Sequence, residues 1–381
     1  MCPRLRQPLA PLPATADTQV VTLFLCGDVM TGRGIDQILA HPGDPRLFEP
    51  YVTSAEEYVA IAEAASGPLA RPVSDAYIWG DALAELARRQ PAARIVNLET
   101  SITRAPTPWP DKGIHYRMHP ANVGCLTAAG LDVCTLANNH VMDFGCEGLC
   151  DTLDALERAG IATAGAGRTL TEAQAPAVLP ITPVRVLVFA LGSPSSGVPL
   201  EWAAGEERPG IDLVGDFSDA AASAVGDRLR RWKQAADIAI VSIHWGDNWG
   251  YDVPDAHRRF ARALIDAGAD VIHGHSSHHP RPIEIYRGRL ILYGCGDLLN
   301  DYEGICGYEE YRDDLGLLYF AAVSPALPMA LEMVPMQIRG FRLRRASPDD
   351  AAWLCRRLAN VSEPFGTRMT LAGGTLTIAA G

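Results

Sequence analysis

The sequence predicts an α/β fold with its helices outside the sheet, and three observations carry that reading. Short, nearly all-apolar runs recur along the chain, stretches with helical periodicity separate them, and the runs end on polar residues able to bind a ligand. The first run, VVTLFLC (Val20 to Cys26), ends at Gly27-Asp28, as a buried strand does when its carboxyl end opens into a loop. RIVNLET (Arg94 to Thr100) ends at Glu99 and DVCTLANNH (Asp132 to His140) at Asn139-His140. ADIAIVSIHWGD (Ala236 to Asp247) carries His244 at its end, and ADVIHGH (Ala269 to His275) runs into HSSHHP. Among the intervening helices, SAEEYVAIAEAAS opens with a capping box from Ser54 to Glu57. Others are DALAELARR (Asp81 to Arg89), Cys146 to Ala159, Asp219 to Gln234 and AHRRFARALIDAG (Ala256 to Gly268). After Gly288 the chain turns strand-rich, which predicts a second sheet packed on the first within one domain.

Residues 1–18 are Pro-rich and read as a disordered tail. Residues 19–345 read as one domain, with an insertion at about 41–81 placed to serve as a lid or substrate wall. Residues 346–381 read as an extension packed on the same domain.

Of the 381 residues, 48% are hydrophobic and 20% charged, and the formal net charge is -12. Such a balance opposes a nucleic-acid binder, which needs clustered Lys and Arg, and equally opposes adhesion to an anionic membrane. An anionic small-molecule or peptide substrate remains compatible, since local arginines or a metal can reverse the field at a site. No stretch approaches the length of a membrane span, and the nine scattered cysteines read as reduced thiols. The expectation is a soluble cytoplasmic protein without a membrane anchor; nothing in the sequence sets its oligomeric state.

The strand ends carry the chemistry. Asp28, Glu99, Asn139 with His140, His244, and His275 with His278 all fall where ligands bind in α/β sheets, at the carboxyl ends of strands. Carboxylate, amide oxygen and imidazole form a mixed set suited to a divalent transition metal (Mn, Zn, Fe or Co), as one ion or two. Four of the ten histidines lie in VIHGHSSHHP, where His273 and His279 read as supporting or structural residues. Arg33 and Arg117, the latter in KGIHYRMHP, are candidates for binding a substrate anion. Asp247, three residues after His244, is a candidate to orient that imidazole.

In order, GDVMTGRG, NLETSIT, LANNHVMDFG, SIHWGDNWG, GHSSHHPRPIE and LYGCGDLLND resemble the bacterial poly-γ-glutamate capsule synthesis (CapA-type) family, a branch of the calcineurin-like metallophosphoesterases. The resemblance runs from about Val21 to Arg345 and implies a four-layer α/β/β/α sandwich with a metal centre at the sheet ends. It implies Asp28, Glu99, Asn139, His244, His275 and His278 as metal ligands, His140 as the acid protonating a leaving group with Asp28 beside it in catalysis, and Asp297 of GCGD near the site. Met30 stands where metallophosphoesterases carry a histidine, and Val141 where they carry an acid after Asn-His. Three functions follow from the resemblance. They are hydrolysis of a phosphoester or peptide-like bond by metal-activated water, metal-dependent peptide Cα-epimerisation of the lasso-peptide tailoring kind, and a non-catalytic part in capsule assembly.

Overall fold

The computed structural model describes residues 20–182, 184–325 and 329–379; the Pro-rich tail lies outside them. Two sheets dominate. In the larger, Val21–Val29, Ala93–Leu98, Val133–Thr135 and Ala162–Ala164 lie parallel in that order. Leu315–Val323 pairs antiparallel with the other side of Val21–Val29, followed outward by Ala330–Ile338, Thr375–Ala379 and Thr370–Ala372. In the second sheet Val184–Gly192, Ile238–His244, Val271–His275 and Arg289–Leu292 are parallel, with antiparallel strands at both edges.

Alternation in the second sheet shows how the layers stack. Val186, Val188, Ala190, Ile238 and Ile240 join the main core with Leu23, Leu25, Val96 and Cys134 of the first sheet. Their neighbours Leu187, Phe189, Leu191, Ala239 and Val241 face away and pack on Val225, Leu229, Phe260 and Leu264 of helices Asp219–Trp232 and Asp255–Asp266. A strand shows successive side chains to opposite faces, so an all-apolar strand must be covered on both. On the first sheet, helices Ala82–Arg89 and Gly145–Arg158 bury Leu86, Leu149 and Leu156 in the main core. The result is the expected four-layer α/β/β/α sandwich.

The helices fall within a few residues of the sequence reading, and Ser54 and Glu57 form the expected capping box of helix Ala55–Ser66. The second sheet differs from expectation. Of the strand-rich region after Gly288, Arg289–Leu292 joins it, but Leu315–Val323 and Ala330–Ile338 extend the first sheet. Both of these strands are apolar over most of their length, and such a run states that a strand is central without stating in which sheet. Val184–Gly192, a central strand absent from the sequence reading, supplies the missing place beside Ile238–His244. Residues 346–379 add helix Pro348–Ser362 and the outer hairpin of the first sheet. No helix among the described residues is long and apolar enough to cross a membrane.

Candidate metal centre

The site begins where two strands approach unusually closely. A Cβ on Gly27 would lie 1.7 Å from the Gly296 carbonyl oxygen, so only glycine fits there. The approach sets Asp28 beside Asp297 in a parallel pairing, with the Asp28 amide donating to Gly296 O at 3.1 Å. Asn97 Nδ2 donates to Asp28 Oδ1 at 2.7 Å, and the Ser276 amide donates to Oδ2 at 3.0 Å. Ser276 holds φ +104°, a backbone strain that the neighbouring packing must sustain. Burial, and then Asp297, push the Asp28 carboxyl up to about 7. Glu99 is also buried, and burial with Asp28 and Asp297 raises it well above the carboxylate range. Its Oε2 has no hydrogen-bond partner.

The second sheet faces this carboxylate group with imidazoles. His244 and His275 are register partners at the ends of adjacent parallel strands, and their Nδ1 atoms lie 2.8 Å apart. His244 Nε2 lies 3.1 Å from Asn139 Oδ1, which can only accept, so His244 carries its proton there and turns a lone pair toward His275. His275 Nε2 is 2.7 Å from Ser242 Oγ, and its Nδ1 is 3.7 Å from Asp28 Oδ1. Burial holds both imidazoles uncharged, His140 and His278 adding to the effect on His244, and His244 and His273 to that on His275.

Ligand atoms of Asp28, His244 and His275 all lie within 4.8 Å of one another. The His244 Nδ1 lone pair is met either by a proton on His275 Nδ1 or, with that nitrogen deprotonated, by a cation, and Asp28 supplies negative charge alongside. The orphaned Glu99 Oε2 is a further buried acceptor with nothing to accept. Three crowded carboxylates, an unpartnered carboxylate oxygen and converging imidazoles fit a divalent transition metal.

His140 stands on the first-sheet side. Its Nδ1 lies 2.7 Å from Asp143 Oδ2 and 3.0 Å from Lys112 Nζ, while Nε2 is 3.7 Å from Glu99 Oε1. Lys112 also donates to Asp143 Oδ1 at 2.5 Å and to Ile114 O at 3.0 Å. Burial, and then the Lys112 charge, push His140 down to about 4, so at neutral pH the ring is uncharged, and giving its one N–H from Nδ1 to Asp143 Oδ2 leaves the Nε2 lone pair free. That revises the expectation of a resident acid: His140 must gain a proton before it can give one. Burial opposes the Asp143 charge, but Lys112 and His140 outweigh it and keep Asp143 low. Val141, directly after Asn139-His140, is a buried core residue, and the carboxylate that meets the His140 ring is Asp143, three positions on.

The remaining candidates have other partners. His278 Nδ1 lies 3.1 Å from both Asp297 oxygens, and burial opposes its charge while Asp297 outweighs burial and raises it. Met30 is buried, with its sulfur 3.6 Å from Tyr302 Oη. Arg33 is not available as a substrate fork: Nε and Nη2 bind Asp301 at 3.1 and 2.5 Å, and Nη1 binds Glu49 at 2.9 Å and Tyr58 Oη at 3.1 Å. Glu49 and Tyr58 come from the segment expected to act as a lid or wall, so here that segment braces Arg33. Arg117 is half-buried, giving Nη1 to Ala105 O and Nη2 to Asp44 O, each at 3.0 Å. Asp247 does not orient His244. It is exposed, and its carbonyl accepts from Arg281, because both nitrogens of His244 already have partners. His273 points between the sheets, with Nε2 2.7 Å from Cys26 O, and His279 is buried among Trp249, Tyr251 and Tyr311.

Sequence reading did not single out Asn97, Lys112, Asn138, Asp143 or Ser242. Asn97 and Ser242 carried a signal, as polar residues inside otherwise apolar strands. Asn138 turns the chain after Val133–Thr135, its Oδ1 accepting from the amides of His140 and Val141.

The family described as bacterial capsule synthesis protein PGA_cap matches this chain over residues 22–302, which include every residue of the centre. The chain belongs to that family. A probable polyglutamine synthesis accessory protein of Mycobacterium tuberculosis is 48% identical over 359 residues, covering 92% of this chain and 93% of that protein. The PGA biosynthesis protein CapA of Bacillus subtilis is 28% identical over 309 residues, 80% of this chain and 69% of that one. The capsule biosynthesis protein CapA of Bacillus anthracis is 25% identical over 326 residues, with 85% and 69% covered. PGA_cap membership accounts for the order of motifs along the chain.

Proposed function

We propose that this PGA_cap protein is a metal-dependent hydrolase of a phosphoester or peptide-like bond in an anionic substrate related to poly-γ-glutamate. The observation that carries the reading is the convergence of Asp28, His244 and His275 within 4.8 Å. A divalent ion held by these residues and Glu99 would supply Lewis-acid polarisation of the scissile group and a more acidic water. His140 Nε2, uncharged and facing Glu99, takes the proton of the attacking water and returns it to the leaving atom. Asp143 accepts at Nδ1 and keeps the ring oriented for both transfers. Asp297 holds His278 at 3.1 Å beside the centre, where its raised proton affinity suits it to bind substrate anion. The names of the relatives support the poly-glutamate connection. The eight free cysteines among the described residues support a reducing, cytoplasmic setting.

One observation favours a second reading, peptide Cα-epimerisation. His140, pushed down to about 4, brings Nε2 within 3.7 Å of Glu99, whose proton affinity burial and then Asp28 raise, so a proton acceptor and a carboxyl with a strengthened hold on its proton face one another.

Element analysis of the purified protein, with turnover assays on generic phosphodiesters and γ-glutamyl peptides in wild type and His275→Ala, tests the proposal. The expected result is a bound transition metal, lost in His275→Ala together with cleavage. Absence of transition metal after supplementation would sink the metal reading. Deuterium uptake at Cα without cleavage would replace hydrolysis by epimerisation.

A further inference from the structure

His140 and His278 come from different sheets, the one after strand Val133–Thr135 and the other after Val271–His275, yet both are held in the same way. Each imidazole meets a carboxylate at Nδ1 and the ring of a tyrosine at nearly a right angle. For His140 these are Asp143 Oδ2 at 2.7 Å and Tyr116, with ring centroids 4.5 Å apart and an interplanar angle of 89°. For His278 they are Asp297 at 3.1 Å and Tyr302, at 5.2 Å and 85°. Each tyrosine is also tied to the carboxylate of its own imidazole. The Tyr116 amide donates to Asp143 Oδ2 at 2.7 Å. The Tyr302 amide donates to Asn300 Oδ1 at 3.1 Å, and Asn300 Nδ2 donates to Asp297 Oδ2 at 2.8 Å. A hydrogen bond at Nδ1 fixes one point of an imidazole and leaves the ring free to tilt about it; a perpendicular ring packed alongside removes that freedom.

The two assemblies meet at their phenols. Tyr116 Oη donates to Tyr302 Oη at 3.0 Å across 186 residues of chain, and Tyr302 Oη gives its own hydrogen to the Met30 sulfur at 3.6 Å. Arg33 lies over both rings, with Cζ 4.4 Å from the centroid of Tyr116 and 5.8 Å from that of Tyr302, within the range of cation–π attraction. Its own place is fixed by Asp301, Glu49 and Tyr58, and Asp301 is the residue before Tyr302. A guanidinium whose fork is filled in this way is lost to substrate but makes a rigid platform for the two phenols.

We propose that Tyr116 and Tyr302 are positioning residues: as one hydrogen-bonded pair on the Arg33 platform they hold His140 and His278 at a fixed separation, so that the imidazole moving the proton and the imidazole binding the anion address the same substrate. The inference rests on the hydrolase reading for what the two imidazoles do, and on geometry alone for the link between them. A change at one tyrosine is therefore felt at the imidazole beside the other, which a tyrosine that merely fills space beside its own neighbour does not produce.

Tyr116→Phe, Tyr302→Phe and the double variant of the full chain test it, since each keeps its rings and loses the bond between the phenols. In metal-free protein labelled with ¹³C,¹⁵N-histidine, Tyr302→Phe is expected to shift the ring resonances of His140 as well as those of His278. Tyr116→Phe is expected to shift those of His278 as well as those of His140. In zinc-loaded protein, kcat/KM for bis(4-nitrophenyl) phosphate should fall by about tenfold in each single variant and no further in the double, because either change breaks the same bond. Ring shifts confined to the adjacent imidazole overturn the proposal, as do losses that multiply in the double variant. Cleavage that both single variants retain in full overturns the positioning role and leaves the hydrolase reading standing. A wild type that cleaves neither this ester nor a γ-glutamyl peptide counts against the hydrolase reading alone, and the ring shifts still decide whether the phenols link the two imidazoles.

Discussion

The first sheet delivers Asp28, Glu99 and Asp297 to the centre, whereas the second delivers His244, His275 and, from the loop after its strand, His278. The first contribution is a set of buried acids in which burial and the neighbouring carboxylates raise the proton affinity of Asp28 and Glu99; the second is a pair of imidazoles that burial keeps neutral. Neither half holds a cation alone. Carboxylates without imidazoles take up protons instead, and neutral imidazoles without carboxylates lack the charge that repays desolvation of an ion. The packing of two sheets is therefore itself the assembly step of the site, and each half should fail in its own way.

The largest effect expected from that division is loss of metal on damage to either half, with opposite consequences for the metal-free protein. Glu99→Gln and His275→Ala should each lower metal affinity by more than about tenfold, read by element analysis after dialysis. In metal-free buffer at pH 8, Glu99→Gln removes one of three crowded acids and should raise the melting temperature. His275→Ala leaves a cavity between the sheets and should cost about 2 kcal/mol. If both variants melt on the same side of wild type, the contrast between a charged half and a neutral half is wrong.

A second effect follows from the proton that Asp28 holds. Its carboxyl is raised from 3.8 to about 7, so the folded chain binds this proton more tightly than the unfolded chain does. The stabilisation is complete at low pH and is lost as pH rises through about 7. A cation competes with the same proton, so metal affinity moves the other way and should rise about tenfold from pH 6 to pH 8. Calorimetric titration in buffers of different ionisation enthalpy would show proton release on metal binding. A pH-independent affinity would mean that Asp28 is not in the ligand set.

How much of this was legible in the sequence depended on whether a residue acts at a strand end or through a neighbour. Asp28, Glu99, Asn139, His140, His244 and His275 terminate recognisable strands, and the structure brings them together. Lys112 was hidden because it reaches His140 from a surface loop, 28 residues earlier, and no periodicity marks a loop residue whose ammonium folds inward. Arg33 was misread because the sequence shows a cation near the site but not Asp301, 268 residues away, which consumes it. Asp247 was misread because spacing after His244 says nothing about which nitrogens are free. The second sheet was assigned the wrong strands for a related reason. Apolar runs identify strands, and only long-range pairing assigns them to a sheet.

The smallest expected effect lies within the neutral half. Ser242 stands inside strand Ile238–His244, and its Oγ is 2.7 Å from His275 Nε2 and 3.1 Å from His273 Nδ1. A hydroxyl that accepts from Nε2 leaves the His275 Nδ1 lone pair free for a cation, whereas a hydroxyl that donates to Nε2 puts the ring proton on Nδ1, where it blocks one. Ser242→Ala removes that control without altering charge and removes only one buried oxygen. The sheet should hold, and metal affinity should fall by about tenfold or less, with a larger share of His275 protonated at Nδ1. Nitrogen chemical shifts of ¹⁵N-histidine-labelled protein would report the tautomer directly. Unchanged shifts and unchanged affinity would show that the pairing of His275 with His244 and Asp28 is enough to orient the ring, and that the neutral half needs no support from within its own strand.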